Sequence, residues 1–212
     1  MDTESLIQGS EEWRNARIGS LGASRIHDAI ARTRSGWGAS RANLMAELVA
    51  ERLAGVPAET YINATMQRGI DIEPQARAAY AFFTDADVQE VGLVRHPSIT
   101  GTHASPDGLI GADGLLEIKC PSITTHIDTL LTEKIPDKYI VQMQWQMACS
   151  GRKWSDYVSF DPRLPQKLCL YIKRIKRDDN RIKELEGLVR EFLKETADKV
   201  AALEARAREE AA

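Results

Sequence analysis

The chain has 212 residues, 43% of them hydrophobic, which suits one compact domain with a real core and, with no run near the roughly 20 apolar residues that span a bilayer, no membrane partner. Its first residues, MDTESLIQGSEEW, place acids where a secretory leader would be basic, so a cytoplasmic protein of a bacterial or phage-infected cell is expected. Cys120, Cys149 and Cys169 form no CxxC pair, which argues against a disulfide framework or a zinc or iron–sulfur knot, and the net charge of −3 argues against a protein coated in positive charge.

The charge is nonetheless uneven. From Trp13 to Met45 there are six arginines and a single acid, Asp28. Such a basic surface is compatible with a nucleic-acid groove and equally with a solvated face. Within this stretch a first helix is expected over about Ser10–Arg17, with Ser10 as N-cap and Glu11 and Glu12 in its first turn. Ser24 is placed to cap a second short helix ending at Ile30. The segment Thr33–Ala39 is rich in Gly and Ser and reads as a loop. After Ser40, the residues Leu44, Met45, Leu48, Val49 and Leu53 recur at helical spacing until Gly55 and Pro57.

A further helix should cover about Ala64–Thr84, with Ala76, Tyr80 and Phe83 on its apolar face and a kink or restart at Pro74. The period then changes. Val88–His96 favours a strand; Thr100–Ser105 and Gly108–Ile110 form a second strand region broken by Pro106. The GADG at Gly111–Gly114 is a tight turn. Leu115–Cys120 is a third strand, with Leu116, Ile118 and Cys120 on one face and Glu117 and Lys119 on the other. Helices over Ile123–Leu131 and Asp137–Ser150, strands over Trp154–Phe160 and Leu168–Ile175, and a long amphipathic helix over about 179–207 complete the chain. The order implies a mixed α/β (α+β) domain over 1–212, with a central mixed sheet flanked by helices.

One constellation carries chemistry: Ser105-Pro-Asp107-Gly, then nine residues, then Glu117-Ile-Lys119. A tight hairpin can bring Asp107 beside Glu117 and Lys119. Two carboxylates, with the Ile118 carbonyl, are hard oxygen ligands suited to Mg²⁺, with Mn²⁺ as a substitute. A lysine beside such a metal can orient or deprotonate water and offset charge that builds on a phosphorus centre. The same short pattern also fits a charged hairpin face in solvent. His27, His96, His103 and His126 lack ligand spacing and read as structural or surface residues, and Trp13 and Trp145 as packing residues.

The order Asp…Glu-x-Lys resembles the PD-(D/E)xK nuclease superfamily. A longer likeness, to the phage lambda exonuclease or YqaJ-type viral recombinase family, runs through EEWRNARIGSLGASRIHDAIA (11–31), RGIDIEPQAR (68–77), HASPDGLIGADGLLEIKCP (103–121), YIVQMQWQM (139–147) and DYVSFDPR (156–163). This resemblance implies a restriction-endonuclease-like core. It implies that Asp107, Glu117, Ile118 and Glu73 bind a pair of metal ions, that Lys119 assists water, and that Tyr139 and Gln142 sit at the catalytic site, with Gln144 a weaker candidate. Read alone, Glu73 is also a plausible salt-bridge partner for Arg77. The resemblance further implies that Arg17, Ser24 and Ser105 hold a 5′-terminal phosphate; read alone, Ser24 is a cap and Arg17 a surface residue. Arg32, Arg34 and Arg41 are candidates for DNA-backbone contact.

The expected activity is 5′-to-3′ exonucleolytic digestion of duplex DNA from phosphorylated ends, leaving 3′ single strands for recombination. The implied partners are double-stranded DNA ends, a single-strand-annealing protein and further copies of the chain in a homotrimer. The alternatives are a structure-specific or restriction-type endonuclease on the same core, and a DNA-binding protein whose nuclease site has decayed.

Overall fold

The computed structural model describes residues 3–4, 6–58 and 63–210. The N-terminal part holds β1 (Thr3–Glu4), α1 (Glu11–Asn15), β2 (Leu21–Gly22), α2 (Ile26–Ala29), the strand pair β3 (Arg32–Thr33) and β4 (Gly36–Trp37), and α3 (Ala39–Ala54). Then come α4 (Ala64–Thr84), β5 (Val88–Gln89), β6 (Leu93–Arg95), β7 (Thr102–Ala104), β8 (Gly108–Ile110) and β9 (Gly114–Lys119). The chain closes with α5 (Ile123–Thr132), α6 (Asp137–Ser150), β10 (Trp154–Phe160), β11 (Leu170–Lys176) and α7 (Asp179–Glu210).

The main sheet is mixed, in the order β11-β10-β9-β8-β5, with only β10 and β9 parallel. A second sheet runs β1-β6-β7-β2, its β2–β7 pair parallel and the rest antiparallel. Side-chain alternation along β9 splits the core in two. Leu116 and Ile118 pack with Val158 and Phe160 of β10 against Ala76 and Tyr80 of α4. Leu115 joins the larger cluster on the opposite side, built with α2, α3, α6 and α7. Helices thus cover both faces of the main sheet, and β9 lies between α4 and α6.

Several local expectations change. Val88–His96 is not one strand. It divides into β5 and β6, which belong to different sheets. Between the two strands Gly92 packs directly against the Leu6 backbone, where a Cβ would clash with the Leu6 carbonyl oxygen. Likewise β7 and β8, on either side of Pro106, serve different sheets. Ser24 does not cap α2: it lies inside a short 3-10 turn, Ala23–Arg25, and makes no capping bond. Gly38 is the N-cap of α3 and makes no side-chain capping bond, so Ser40 lies within the helix rather than before it. The Thr33–Ala39 loop contains the β3–β4 hairpin, closed over Trp37 by the guanidinium groups of Arg32 and Arg41, each 4.0 Å from its ring centroid. Pro74 starts no new helix, since α4 runs unbroken through it. Phe83 and Leu53 are exposed, and the last strand begins at Leu170 rather than Leu168. Ser10 does cap α1, accepting from the Trp13 N–H, and α6 and β10 span the expected residues. Among the described residues no helix is long and apolar enough to cross a membrane.

Candidate active site

The β8–β9 hairpin builds the acid site. Pairing of Gly108 with Leu116 sets the register, and the Asp107 N–H extends it by donating to the Leu116 carbonyl at 3.0 Å. The Asp107 side chain then reaches across, its Oδ2 accepting from the Ile118 N–H at 2.6 Å. Glu117 points to the opposite face from Ile118, toward α6, and is almost fully enclosed, with 1% of its surface exposed. A buried carboxylate needs partners for its oxygens. Oε1 accepts from Gln142 Nε2 at 2.6 Å and pairs with Lys119 Nζ; Oε2 accepts from Gln146 Nε2. Lys119 leaves β9 on the same face as Glu117, its Nζ 5.0 Å from the ring centroid of Tyr139, which stacks on Tyr157.

From the other side α4 contributes Glu73 and Arg77. Arg77 Nη2 donates to Glu73 Oε1 at 2.6 Å, so the i+4 salt bridge is present. It does not remove Glu73 from the site, because Arg77 Nε also donates to the Asp107 carbonyl at 3.0 Å and ties the helix to the hairpin. Glu73 lines a cavity of about 510 Å³ with Ile118, Lys119 and Tyr139.

The electrostatics follow from this crowding. Burial, and then the neighbouring Glu117, raise the Asp107 carboxyl well above its usual range; burial likewise raises Glu73. Burial works against a charge on Lys119, but the Glu117 and Asp107 carboxylates outweigh it and hold the lysine protonated above the usual lysine range. Three carboxylates face one lysine and one arginine, an excess of negative charge that a divalent cation would relieve. Among the described residues no group of three His, Cys, Asp or Glu side chains is arranged to enclose a metal by itself. The side-chain donors present are the Asp107 and Glu117 carboxylates, with Glu73 nearby. That set fits a hard ion that keeps waters and takes substrate oxygens, as Mg²⁺ does.

Arg17, Ser24 and Ser105 line one cavity of about 140 Å³, together with Trp13, His103 and Gln142. Gln142 is therefore shared: its amide donates to Glu117, and its side chain closes this second cavity. Trp13 Nε1 donates to Ser105 Oγ at 3.2 Å, and the Arg17 guanidinium lies 3.9 Å from the Trp13 ring centroid. Arg32 and Arg34 are exposed on the β3–β4 hairpin. Arg41 is buried and bound through both terminal nitrogens to Glu195 of α7, so its guanidinium is committed to the fold. Gln144 is committed too: it donates to the Lys176 carbonyl and accepts from the Asp178 N–H.

Reading the sequence missed Gln146 and His103. Gln146 follows Gln142 by four residues, so Tyr139, Gln142 and Gln146 form one helical stripe, and that spacing could have found it. His103 carries no such signal, because its neighbours come from the turn after α1 and from β2, far away in the chain.

Comparison with known proteins identifies the family. The sequence matches the YqaJ-like viral recombinase domain over residues 12–153. The chain belongs to the YqaJ-like viral recombinase family. As a member of it the protein is an enzyme, a nuclease. The structure is similar to an alkaline exonuclease from Laribacter hongkongensis, free and in complex with dAMP, each with 48% identity and a TM-score of 0.89, covering 94% of this chain and 99% of that one. A phage-related exonuclease from Haemophilus somnus 129PT shares the fold, with 16% identity, a TM-score of 0.71, and coverage of 87% of this chain and 96% of that one. No curated protein matches the sequence.

Proposed function

We propose that this protein is a divalent-metal-dependent exonuclease that digests one strand of duplex DNA from a 5′ end, prefers phosphorylated ends and leaves a 3′ single strand for recombination by annealing. The observation that carries this reading is the shared wall at Gln142. It sets a small cavity with an arginine and two serines directly beside the Glu117 carboxylate. A terminal phosphate held in the cavity would place the next phosphodiester toward the acids. The dAMP complex of the Laribacter enzyme supports a mononucleotide-sized product.

In this reading Asp107, Glu117 and the Ile118 carbonyl hold Mg²⁺ or Mn²⁺, with Glu73 contributing to a second ion. The metal, when bound, supplies an activated water and neutralises charge on the phosphoryl oxygens. The chain's own residues do the rest. Lys119, held as a cation, stabilises negative charge that develops on the scissile phosphate; its raised pKa suits that role better than proton abstraction. Gln142 and Gln146 fix the Glu117 rotamer and so would orient this carboxylate as a metal ligand. Tyr139 packs beside Lys119 and limits its motion. Arg17, Ser24 and Ser105 select the end. Arg34, exposed on the hairpin, and Arg32, exposed though stacked on Trp37, would meet the DNA backbone. Family likeness supports a homotrimer, an annealing-protein partner and action in the cytoplasm; residues 201–210 of α7, exposed throughout, leave a surface for such contacts.

The test uses linear duplexes labelled at the 5′ or the 3′ end of one strand, and covalently closed circles. The 5′ label should be released first, as mononucleotide, while circles stay intact. Cutting of circles would instead favour the endonuclease, and binding without cutting would favour a decayed site.

A further inference from the structure

His103 is buried, with 1% of its surface exposed, in the wall of the cavity that Arg17, Ser24 and Ser105 line. The parallel pairing of β2 with β7 sets Gly22 opposite His103 and so brings the turn after α1 against the imidazole. Arg17 Nε lies 3.2 Å from His103 Nε2, and Ser20 Oγ 2.9 Å from His103 Nδ1. These contacts fix the tautomer. A guanidinium can only donate, so Nε2 must carry the lone pair, and the ring proton sits on Nδ1 and is donated to Ser20. The imidazole is therefore neutral. Burial, reinforced by Arg17 and Arg95, agrees: it holds the histidine pKa down at about 3.

Arg17 is thus held at two points, at Nε by His103 and across its face by Trp13, 3.9 Å below. Among the described residues it forms no salt bridge, although burial disfavours its charge and only the field of Glu51 supports it. A half-buried cation with no carboxylate partner, pinned at Nε and on one face, keeps its terminal nitrogens for an anion. Gly22 protects the arrangement: a Cβ there would meet His103 Nε2 at 3.2 Å and Arg17 Nη2 at 3.8 Å.

We propose that His103 is a positioning residue for end selection: as a neutral acceptor for Arg17 Nε it aims the guanidinium's two terminal nitrogens at the 5′-phosphate. The inference rests on the reading of that cavity as the terminal-phosphate pocket. Pre-aiming spares the rotamer freedom that an arginine would lose on binding and fixes a two-pronged contact.

The experiment compares wild type, Arg17→Ala, His103→Leu and His103→Gln, each as the full chain, on 5′-phosphorylated and 5′-hydroxyl duplexes of one sequence. It reads the ratio of kcat/KM values and, without turnover, the ratio of equilibrium affinities in EDTA. Thermal melting reports folding. Wild type should prefer the phosphorylated end, and Arg17→Ala should abolish the preference. His103→Leu should lower both ratios about tenfold, the worth of one hydrogen bond to a charged group. His103→Gln, whose amide oxygen can accept from Arg17 Nε, should restore most of it. If wild type shows no preference, or Arg17→Ala keeps it, the pocket reading fails and this inference with it. If Arg17→Ala loses the preference while folded His103→Leu keeps it, the role of His103 alone is overturned. Equal losses in His103→Leu and His103→Gln would also overturn it, by making the histidine a packing residue.

Discussion

Replacing Gln146 by leucine tests whether this side chain holds the Glu117 carboxylate in place. Gln146 is 1% exposed, and its Nε2 donates to Glu117 Oε2. A hydrogen bond to a charged group contributes about 1.5–3 kcal/mol. Its other end is a liability, since Gln146 Oε1 is buried without a hydrogen-bond partner among the described residues, a state that costs about 1–3 kcal/mol. Leucine removes that orphan oxygen and keeps a side chain of similar size in the core, but it leaves Glu117 Oε2 buried without its donor. Stability should therefore fall by about 1–3 kcal/mol, a loss of several degrees in melting temperature for a chain of this size that still leaves the protein folded. Function should not be spared. Glu117 keeps Gln142 and Lys119 on Oε1 but loses its restraint on Oε2. Loss of a side chain that orients a metal ligand typically costs about 10–100-fold in metal affinity or activity. The assay is the initial rate of nucleotide release as Mg²⁺ is varied, with melting of the same preparation. The Mg²⁺ needed for half-maximal rate should rise by about tenfold or more. Gln146→Glu should be worse in both measurements, because a second carboxylate against Glu117 cannot share its charge. A Gln146→Leu protein with wild-type rate and wild-type Mg²⁺ dependence would refute the idea that Gln146 orients the carboxylate.

Other outcomes follow from the same geometry. Activity should require Mg²⁺ or Mn²⁺, with Ca²⁺ permitting DNA binding without turnover; full activity in excess EDTA would contradict the oxygen-donor site. Light scattering should give a native mass near three times the 23.6 kDa chain, and a monomer in the presence of DNA would defeat the trimer. Asp161, fully buried, is lowered from its ordinary 3.8 to about 2, first by hydrogen bonds from Arg163 and further by Arg68. Because the folded pKa is the lower one, its contribution is present above about pH 4 and disappears as pH falls through about 2. Asp161→Asn should therefore melt below wild type at neutral pH, and the gap should close in acid; a gap that persists at pH 2 would mean that the charge is not its source.

Much of the architecture is legible in the sequence because it rests on local signals. The α6 and β10 boundaries coincide with caps, period changes and Gly or Pro, and alternation alone places Glu117 and Lys119 opposite Leu116 and Ile118. What was not legible depends on contacts distant in the chain. The need for glycine at position 92 comes from Leu6, whose backbone lies where a side chain would sit. Arg41 looks like a DNA-facing cation until Glu195, from the far end of the chain, takes both its terminal nitrogens. Ser24 resembles a cap in sequence, yet the turn begins two residues earlier at Gly22. The cavity around Arg17 depends on β2 lying alongside β7, a pairing that spacing does not reveal. The triad lies on one hairpin and could be read; Gln146, which holds Glu117, was open only to the helical spacing from Gln142, and His103, which holds Arg17, could not be assigned a role without coordinates.

The central claim is that Asp107, Glu117 and Lys119 carry out hydrolysis, and the most direct test is single-turnover release of nucleotide from a 5′-phosphorylated linear duplex with Mg²⁺ by wild type, Asp107→Ala and Lys119→Ala. Wild type should release nucleotide. Both variants, shown by melting to be folded, should release none above background, with Lys119→Ala still binding metal and DNA and Asp107→Ala losing metal affinity. Wild-type release by a folded Lys119→Ala or Asp107→Ala protein would contradict the assignment of this site.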